Sequence, residues 1–179
     1  METLEAITTR RSVRAYKKDP VSKELLETIL RAATAAPSGG NRQPWAFIVI
    51  CDRRRLQGLV SLSPGLSSEP GAIIAICLDE TRATKTEDGD AESMVWMDLG
   101  AAMENILLVA HDQGLGACAI GSFHEQGVRE LLRLPSKLKL ALLVSIGIPT
   151  RVPTGPKKRP PEEMIFFEEY GDQNGHRKT

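Results

Sequence analysis

Arginine side chains are concentrated near the start of the chain, where Arg10, Arg11 and Arg14 lie within five residues together with Ser12. Guanidinium groups match phosphate oxygens in pairs, and each hydrogen bond to a charged group contributes about 1.5–3 kcal/mol. Two or three such bonds hold a dianionic phosphate firmly. The cluster therefore predicts a phosphate site, and the alternative is a solvated basic turn at the end of a helix.

A second polar segment, residues 37–45, reads PSGGNRQPW. Its two glycines allow a ligand to approach the backbone closely, its amide side chains offer hydrogen bonds, and its prolines restrict the turn. Such a segment suits a flat polar ring, and the alternative is an ordinary helix-to-strand loop with a half-buried Trp45. The chain has neither a GxGxxG motif after a strand nor a P-loop, so a Rossmann or P-loop nucleotide site is not supported.

The chain has 179 residues, with 23 basic and 23 acidic side chains. This length permits one domain with a sizeable core, and the balanced charge gives no general attraction to nucleic acid or to an anionic membrane. Cys51, Cys77 and Cys118 have no CxxC spacing and are predicted to be buried, reduced thiols. The N-terminus has no signal-peptide pattern and no apolar run approaches about 18 residues, which predicts a cytoplasmic protein.

The histidines do not suggest a catalytic triad or a metal centre. His111, His124 and His176 have no partners at the spacing that either site requires. We therefore expect structural or solvated histidines and no bound metal.

Hydrophobic periodicity, together with proline, glycine and capping residues, gives a coarse plan of the secondary structure. It predicts helices over residues 2–9, 21–36, 53–60, 91–113 and 124–132, and strands over residues 46–51, 72–78, 117–120 and 138–148. Two helices precede the first strand, and the connections are irregular. An α+β sandwich therefore fits better than a doubly wound sheet.

Three connecting or terminal segments are more polar than these elements. Residues 61–71 and 81–90 are predicted to be too polar for the core, with conformations that the pattern does not define. Residues 171–179 are predicted to be disordered. The helix over 91–113, in contrast, is apolar almost all round, so we expect one of its faces to lie against a second copy of the chain.

Four segments in order carry a resemblance to a known family: RRSVRAY, APSGGNRQPW, GLGACAIGSF and PKKRPPEEM. Over residues 1–165 the chain resembles the nitroreductase family of FMN-dependent flavoproteins. The resemblance implies a single FMN-binding domain over 1–165, followed by a tail over 166–179. The implied fold is an α+β sandwich with a central mixed, mainly antiparallel sheet flanked by helices. It also implies an intertwined homodimer, whose two FMN sites lie at the interface with residues from both subunits.

Residue by residue, the resemblance implies contacts along the whole cofactor. Arg10, Arg11 and Ser12 would bind the phosphate and ribityl chain, Arg14 would reach the pyrimidine side of the ring, and Lys157 and Arg159 would complete the phosphate site. Pro37, Ser38, Gly39 and Asn41 would come from the partner subunit. Ala119, Ile120, Gly121 and Ser122 would pass the central ring, where a backbone N–H would donate to N5. Some relatives have a glutamate in this last segment, whereas this chain has Gly121 and Ser122.

The resemblance implies that flavin carries the redox chemistry, so no catalytic side chain is assigned. We predict ping-pong hydride transfer from NAD(P)H through flavin N5 to a small-molecule acceptor such as a nitroaromatic or a quinone. Positive charge from Arg14 would stabilise the anionic reduced flavin. A specialised relative, such as a reductive dehalogenase or a flavin-consuming enzyme, and a non-catalytic FMN storage or redox-sensing protein remain alternatives.

Overall fold

The computed structural model describes residues 1–83 and 93–172. Most of the 81–90 connection, the first residues of the predicted 91–113 helix, His176 and most of the predicted disordered terminus lie outside the described residues.

Each of the predicted helices and strands is confirmed, with ends that differ by no more than two residues wherever those ends are described. The helices are α1 (Thr3–Thr9), α2 (Lys23–Thr34), α3 (Arg53–Leu62), α4 (Ser93–Asp112) and α5 (Glu125–Leu132). The strands are β1 (Trp45–Ile50), β2 (Ala72–Asp79), β3 (Gly116–Ile120) and β4 (Leu138–Gly147). Two short 3-10 turns, Gly39–Asn41 and Pro161–Glu163, were not expected from the pattern.

Polar side chains fix the starts of three helices. Ser22 accepts a hydrogen bond from the Leu25 N–H at the start of α2, and Asp52 accepts one from the Arg55 N–H at the start of α3. Nδ1 of His124 accepts the Gly127 N–H at 3.0 Å and caps α5. These side chains satisfy backbone donors that have no partner inside the helix. The predicted structural role of His124 is therefore confirmed.

The four strands form one antiparallel sheet in the order β1-β2-β4-β3. The register between β2 and β4 shifts at Ile76 and Cys77, where β4 carries one extra residue. Within the described residues, the parallel pairing is one bridge between Ser12 and Ala117 at the β3 edge. The fold is thus the predicted α+β sandwich with a mainly antiparallel sheet.

Helices cover both faces of the sheet because the central strand β2 is apolar on both sides. Residues 72–78 are fully buried, and their side chains alternate between two hydrophobic clusters. Ile74 and Ile76 pack with α2 and α4, whereas Ile73 and Cys77 pack with α3 and α5. This alternation follows from the two-residue period of a strand.

Helix α4 is buried along one face and exposed along another. Leu99, Ala102 and Ile106 are at most 1 % exposed, whereas Met94 and Met97 are 53 % and 64 % exposed. Its 20 residues and mean hydropathy of 1.3 are enough for a membrane span by length and composition alone, although Asp98 and Glu104 interrupt its apolar run. In this fold α4 packs against α2 and the sheet, as the core helix of a globular domain does.

Two expectations about burial were wrong. Residues 61–71 contribute Leu66 to the core, and Ser63 is also fully buried, because the turn folds back over β3. Cys51 is exposed, because β1 ends one residue earlier than predicted and leaves the thiol beyond the strand. Cys77 and Cys118 are buried as predicted, and all three thiols are free.

Candidate cofactor-binding site

The arginine segment runs in an extended conformation along the edge of the sheet. The Val13 N–H donates to the Ala117 carbonyl at 3.0 Å, and the Lys17 N–H donates to the Ile148 carbonyl at 2.8 Å. The hydroxyls of Ser67 and Ser68 each donate to the Arg14 carbonyl at 2.9 Å. No residue of the 61–71 turn was assigned to the site from the residue pattern, yet these two serines hold the backbone of the arginine segment.

A cavity of about 410 Å³ lies between this segment and the chain that follows β4. Its lining comprises Thr8, Arg10, Arg11, Ser12, Arg14, Pro153, Thr154, Gly155, Pro156 and Lys158. A Cβ atom at Gly155 would lie 2.5 Å from Nε of Arg11, so glycine is required for this close approach. The lining includes four basic side chains and no acidic one, which suits an anion.

Arg10 is held from behind by an acid of α4. Its Nε lies 3.2 Å from Oε1 of Glu104, although the N–H is not aligned for a hydrogen bond. Nη1 of Arg10 is buried and has no hydrogen-bond acceptor among the described residues. Because a buried, unsatisfied donor is costly, a ligand oxygen that reached Nη1 would supply the acceptor that it lacks.

Arg11 and Arg14 differ in how their side chains are used. Nη1 of Arg11 donates to the carbonyls of Thr8 and Arg10 at 2.9 and 2.8 Å, which fixes the side chain at the end of α1. The Arg14 side chain is exposed at the cavity and pairs with no acid in residues 1–83 and 93–172. Arg14 therefore supplies the freer positive charge.

The basic residues after β4 are placed differently from the implied assignment. Lys158 lines the cavity, whereas Lys157 is not among the lining residues. Nε of Arg159 lies 3.1 Å from Oε2 of Glu163, and both side chains are exposed. Of the two neighbouring lysines, only Lys158 therefore lines the cavity with the arginines.

The loop between α2 and β1 is defined by its backbone conformation. Gly40, Asn41 and Gln43 have φ angles of 56°, 55° and 51°, in the left-handed region. Such angles are unfavourable for residues other than glycine, and least so for asparagine. The Ser38 hydroxyl accepts the Gln43 N–H at 3.0 Å and closes the loop.

A buried acid of α4 holds the same loop. Both carboxylate oxygens of Asp98 accept the Gly39 N–H, at 3.2 and 3.3 Å, and the residue is 9 % exposed. Seven residues further along α4, Nδ2 of Asn105 donates to the Ala32 carbonyl at 2.9 Å. Neither residue was predicted from the sequence, although Asp98 stands out as a lone acid within the apolar stretch MVWMDLG.

The segment 119–122 lies at the end of β3, beside open surface. Ala119, Gly121 and Ser122 are exposed and Ile120 is buried. A Cβ atom at Gly121 would meet no described atom within 4 Å. Ser122 also lines an open cavity of about 450 Å³ together with Ser61, Leu62, Pro64, Phe123 and His124. The end of β3 therefore offers room beside its backbone.

Behind the arginine segment lies a buried polar network around Tyr16. Its hydroxyl donates to the Val13 carbonyl and is 2.7 Å from the Ser145 hydroxyl. Burial raises the pKa of Tyr16, although the hydrogen bond with Ser145 lowers it. Burial also raises the pKa of the neighbouring Cys118 thiol, against the lowering effects of Arg14, Ser12 and Arg10. Both groups therefore remain neutral near pH 7 and serve the fold.

One chain does not bring all the predicted site residues together. Arg10, Arg11, Ser12 and Arg14 share the 410 Å³ cavity, but among the described residues that line it there is none from the 37–43 loop or the 119–122 segment. This separation agrees with the implied contribution of that loop to a partner subunit's site.

The residues that are present fit a phosphate-bearing cofactor such as FMN. Arg10, with its buried and unsatisfied Nη1, Ser12, Arg14 and Lys158 supply donors and positive charge for the phosphate. The 37–43 loop carries the amide side chains of Asn41 and Gln43, which could bond to the heteroatoms of a ring.

Comparison with known proteins identifies the family. The sequence model of the "Nitroreductase family" matches residues 7–63 and 68–148. A protein of Archaeoglobus fulgidus, provisionally named NADH dehydrogenase/NAD(P)H nitroreductase, is 37 % identical over 155 residues, which cover 83 % of this chain and 86 % of the relative. An FMN reductase [NAD(P)H] of Bacillus subtilis is 29 % identical over 185 residues, covering 94 % of this chain and 74 % of the relative.

The solved structures agree with this result at the level of the fold. A nitroreductase-like protein of Exiguobacterium sibiricum, crystallised in complex with FMN, superposes with a TM-score of 0.84 at 22 % identity and covers 94 % of this chain and 98 % of its own. The family match extends over most of the chain and includes the arginine segment, the 37–45 loop and the end of β3. The chain therefore belongs to the nitroreductase family.

Proposed function

We propose that this chain is an FMN-dependent oxidoreductase that takes reducing equivalents from NAD(P)H and passes them to a small-molecule acceptor. The observation that carries the proposal is the cavity with four basic side chains, in which the buried Nη1 of Arg10 has no acceptor among the described residues. Relatives named FMN reductase and NADPH-flavin oxidoreductase support the cofactor and the electron donor.

The phosphate end of the cofactor is assigned to Arg10, Arg11, Ser12 and Lys158. Arg10 offers a preformed donor because Glu104 fixes its guanidinium group from behind. Arg11 contributes charge while its Nη1 is held by backbone carbonyls. Lys157 and Arg159, which the family resemblance implies, would have to reach the phosphate by a change in the exposed segment that carries them.

The ring end is assigned to the remaining predicted residues. Pro37, Ser38, Gly39 and Asn41 of one subunit face the ring bound by the other, and Ala119, Ile120, Gly121 and Ser122 provide backbone beside it. Bound FMN supplies a carrier that accepts hydride from NAD(P)H and returns electrons to a second substrate. Arg14 supplies a positive charge beside the ring, which stabilises negative charge that develops there during reduction.

We propose that the functional unit is a homodimer with α4 in its interface. Several large apolar side chains on the outer face of the fold lack cover in one chain. They include Leu4, Ile7, Met94, Trp96 and Met97, each at least 40 % exposed. Exposed apolar groups of this kind mark association surfaces. A second copy would bury them and would bring its 37–43 loop to the arginine segment.

The acceptor class is proposed to be nitroaromatic or quinone-like, and the location cytoplasmic. The open cavity beside Ser122 and Phe123 imposes little shape selection on an aromatic acceptor. The free state of the three cysteines agrees with a reducing compartment. The domain that carries this function is residues 1–165.

An anaerobic absorbance titration tests the proposal. The purified protein, supplied with FMN, should show bound flavin that NADH or NADPH bleaches rapidly and that a nitroaromatic or a quinone restores. Bound flavin that neither donor reduces would favour storage, sensing or a specialised reaction over the proposed enzyme. Failure to bind added FMN would overturn the proposal itself.

A further inference from the structure

We propose that Asp98 is a positioning residue for the cofactor, which acts by holding the 37–43 loop in its binding conformation. This inference rests on the proposed function, because it takes the loop to be one wall of the FMN site. Asp98 does not line the 410 Å³ cavity, so its effect is exerted through Gly39.

The burial of Asp98 requires a compensating partner. A carboxylate at 9 % exposure loses most of its hydration, which is unfavourable unless hydrogen bonds or a cation replace the water. No lysine or arginine forms an ion pair with Asp98 in the part of the chain that the structure describes. The Gly39 N–H, shared by both carboxylate oxygens, is the partner that the structure provides.

This contact caps the short 3-10 turn Gly39–Asn41 from outside the loop. Ser38 precedes the turn, but its side chain does not cap it and instead accepts the Gln43 N–H. A carboxylate is a strong acceptor for a backbone N–H at the start of a turn. Asp98 therefore replaces the local capping residue and links the loop to α4.

The loop needs such a restraint because its backbone is unfavourable on its own. Besides Gly40, the non-glycine residues Asn41 and Gln43 have left-handed φ angles, and in such residues this conformation persists only where neighbouring structure enforces it. Without Asp98 the free loop would sample other conformations, and the cofactor would have to select the correct one. If only a fraction of the molecules has the binding conformation, the measured affinity for FMN falls in proportion to that fraction.

Helix α4 also holds the segment that leads into the loop. Asn105 lies seven residues after Asp98, hence on the same face of α4, and its Nδ2 donates to Ala32 in the last turn of α2. Asn105 thus offers a matched control, because it joins the same face of α4 to the helix that precedes the loop without touching the loop itself.

The test compares Asp98→Ala, Asp98→Asn and Asn105→Ala as full-length proteins. We expect Asp98→Ala to raise the Kd for FMN, measured by quenching of flavin fluorescence, by about tenfold. Asp98→Asn keeps an acceptor oxygen and should recover most of the affinity. Asn105→Ala should lower the melting temperature but leave the Kd within about twofold, because it does not touch the Gly39 N–H.

A second readout avoids the cofactor altogether. In the FMN-free protein, amide hydrogen exchange of a peptide covering residues 37–43 should be faster in Asp98→Ala than in wild type and unchanged in Asn105→Ala. Equal exchange and equal Kd in Asp98→Ala and wild type would overturn the role of Asp98. A wild-type protein that binds no FMN, but shows the exchange difference, would instead refute the proposed function. If Asp98→Ala does not fold, Asp98→Asn is tested in its place. Weak FMN binding by Asp98→Asn would contradict the proposal that the hydrogen bond to Gly39 alone positions the loop.

Discussion

Residues 10–14 and residues 37–43 contribute to the candidate site in opposite ways. The arginine segment has an ordinary extended backbone, anchored to β3 through Val13, and its function lies in the charges of its side chains. The loop has few charges, and its function lies in left-handed backbone angles and in the buried contact between Gly39 and Asp98. Charge is readable from residue types, whereas a backbone conformation depends on contacts elsewhere in the fold.

Among substitutions in these two regions, replacement of Arg10 should have the largest effect on the Kd for FMN. Arg10→Ala removes the buried Nη1 donor and leaves Glu104 unpaired beside the phosphate site, so the Kd for FMN should rise about hundredfold. Equilibrium titration followed by flavin fluorescence measures this change.

The matched control is Glu104→Gln, which keeps a polar side chain of the same size behind Arg10. Its Kd should stay within about threefold of wild type, because the negative charge that it removes does not bind the cofactor. An Arg10→Ala variant that binds FMN as tightly as Glu104→Gln would show that charge does not govern this end of the site.

A substitution at Gly40 tests whether the loop depends on its left-handed backbone, and its expected effect is smaller than that of Arg10→Ala. Gly40→Ala introduces a side chain at a φ of 56°, while the added Cβ atom would have only ordinary contacts with Arg42 at 3.9 Å. The substitution should lower the free energy of unfolding of the FMN-free protein by about 1 kcal/mol. Urea denaturation measures the loss.

Gly39→Ala is the control within the same loop. Gly39 has no positive φ, and a Cβ atom there would lie 4.0 Å from Oδ2 of Asp98, which is an ordinary contact. Its stability without FMN should therefore stay close to that of wild type. Equal losses in both variants would show that crowding, rather than the left-handed conformation, defines the loop.

Substitution of Lys157 or Lys158 should have the smallest effect on FMN binding, and it tests which of the two lysines faces the phosphate. Lys158→Ala should weaken FMN binding by about threefold to fivefold, because an exposed lysine adds a modest, screened attraction. Lys157→Ala should have no measurable effect. The reverse order would place Lys157 at the phosphate, as the family resemblance implies.

The elements of the fold were predictable from local pattern, and several contacts of the site were not. The strand β2 is a buried apolar run, and the helix α2 begins after a capping serine and ends before Pro37. The limits of such elements can therefore be predicted from residues close to them in the sequence. The contact between Asp98 and Gly39 joins residues 59 positions apart, and no local period encodes it. The sequence indicated the arginines, but it did not reveal that Glu104 holds one of them.

One-residue shifts account for the smaller differences. β1 ends at Ile50 rather than Cys51, which moves a thiol from the interior to the surface. Similarly, the lysine that lines the cavity is Lys158, one residue after the Lys157 that the family resemblance implies. Periodicity identifies an element well, but its last residue depends on tertiary contacts.

The apolar character of α4 has a consequence for synthesis of the protein. The helix ends at Asp112, and two of its core neighbours, Val144 and Ile146, come from β4, which is completed only at Gly147, about 35 residues later. At about 5–20 residues per second, a ribosome needs about 2–7 s to add them. During that interval part of the apolar surface of α4 has no strand to pack against. The growing chain is therefore prone to aggregation at this stage and can be bound by chaperones.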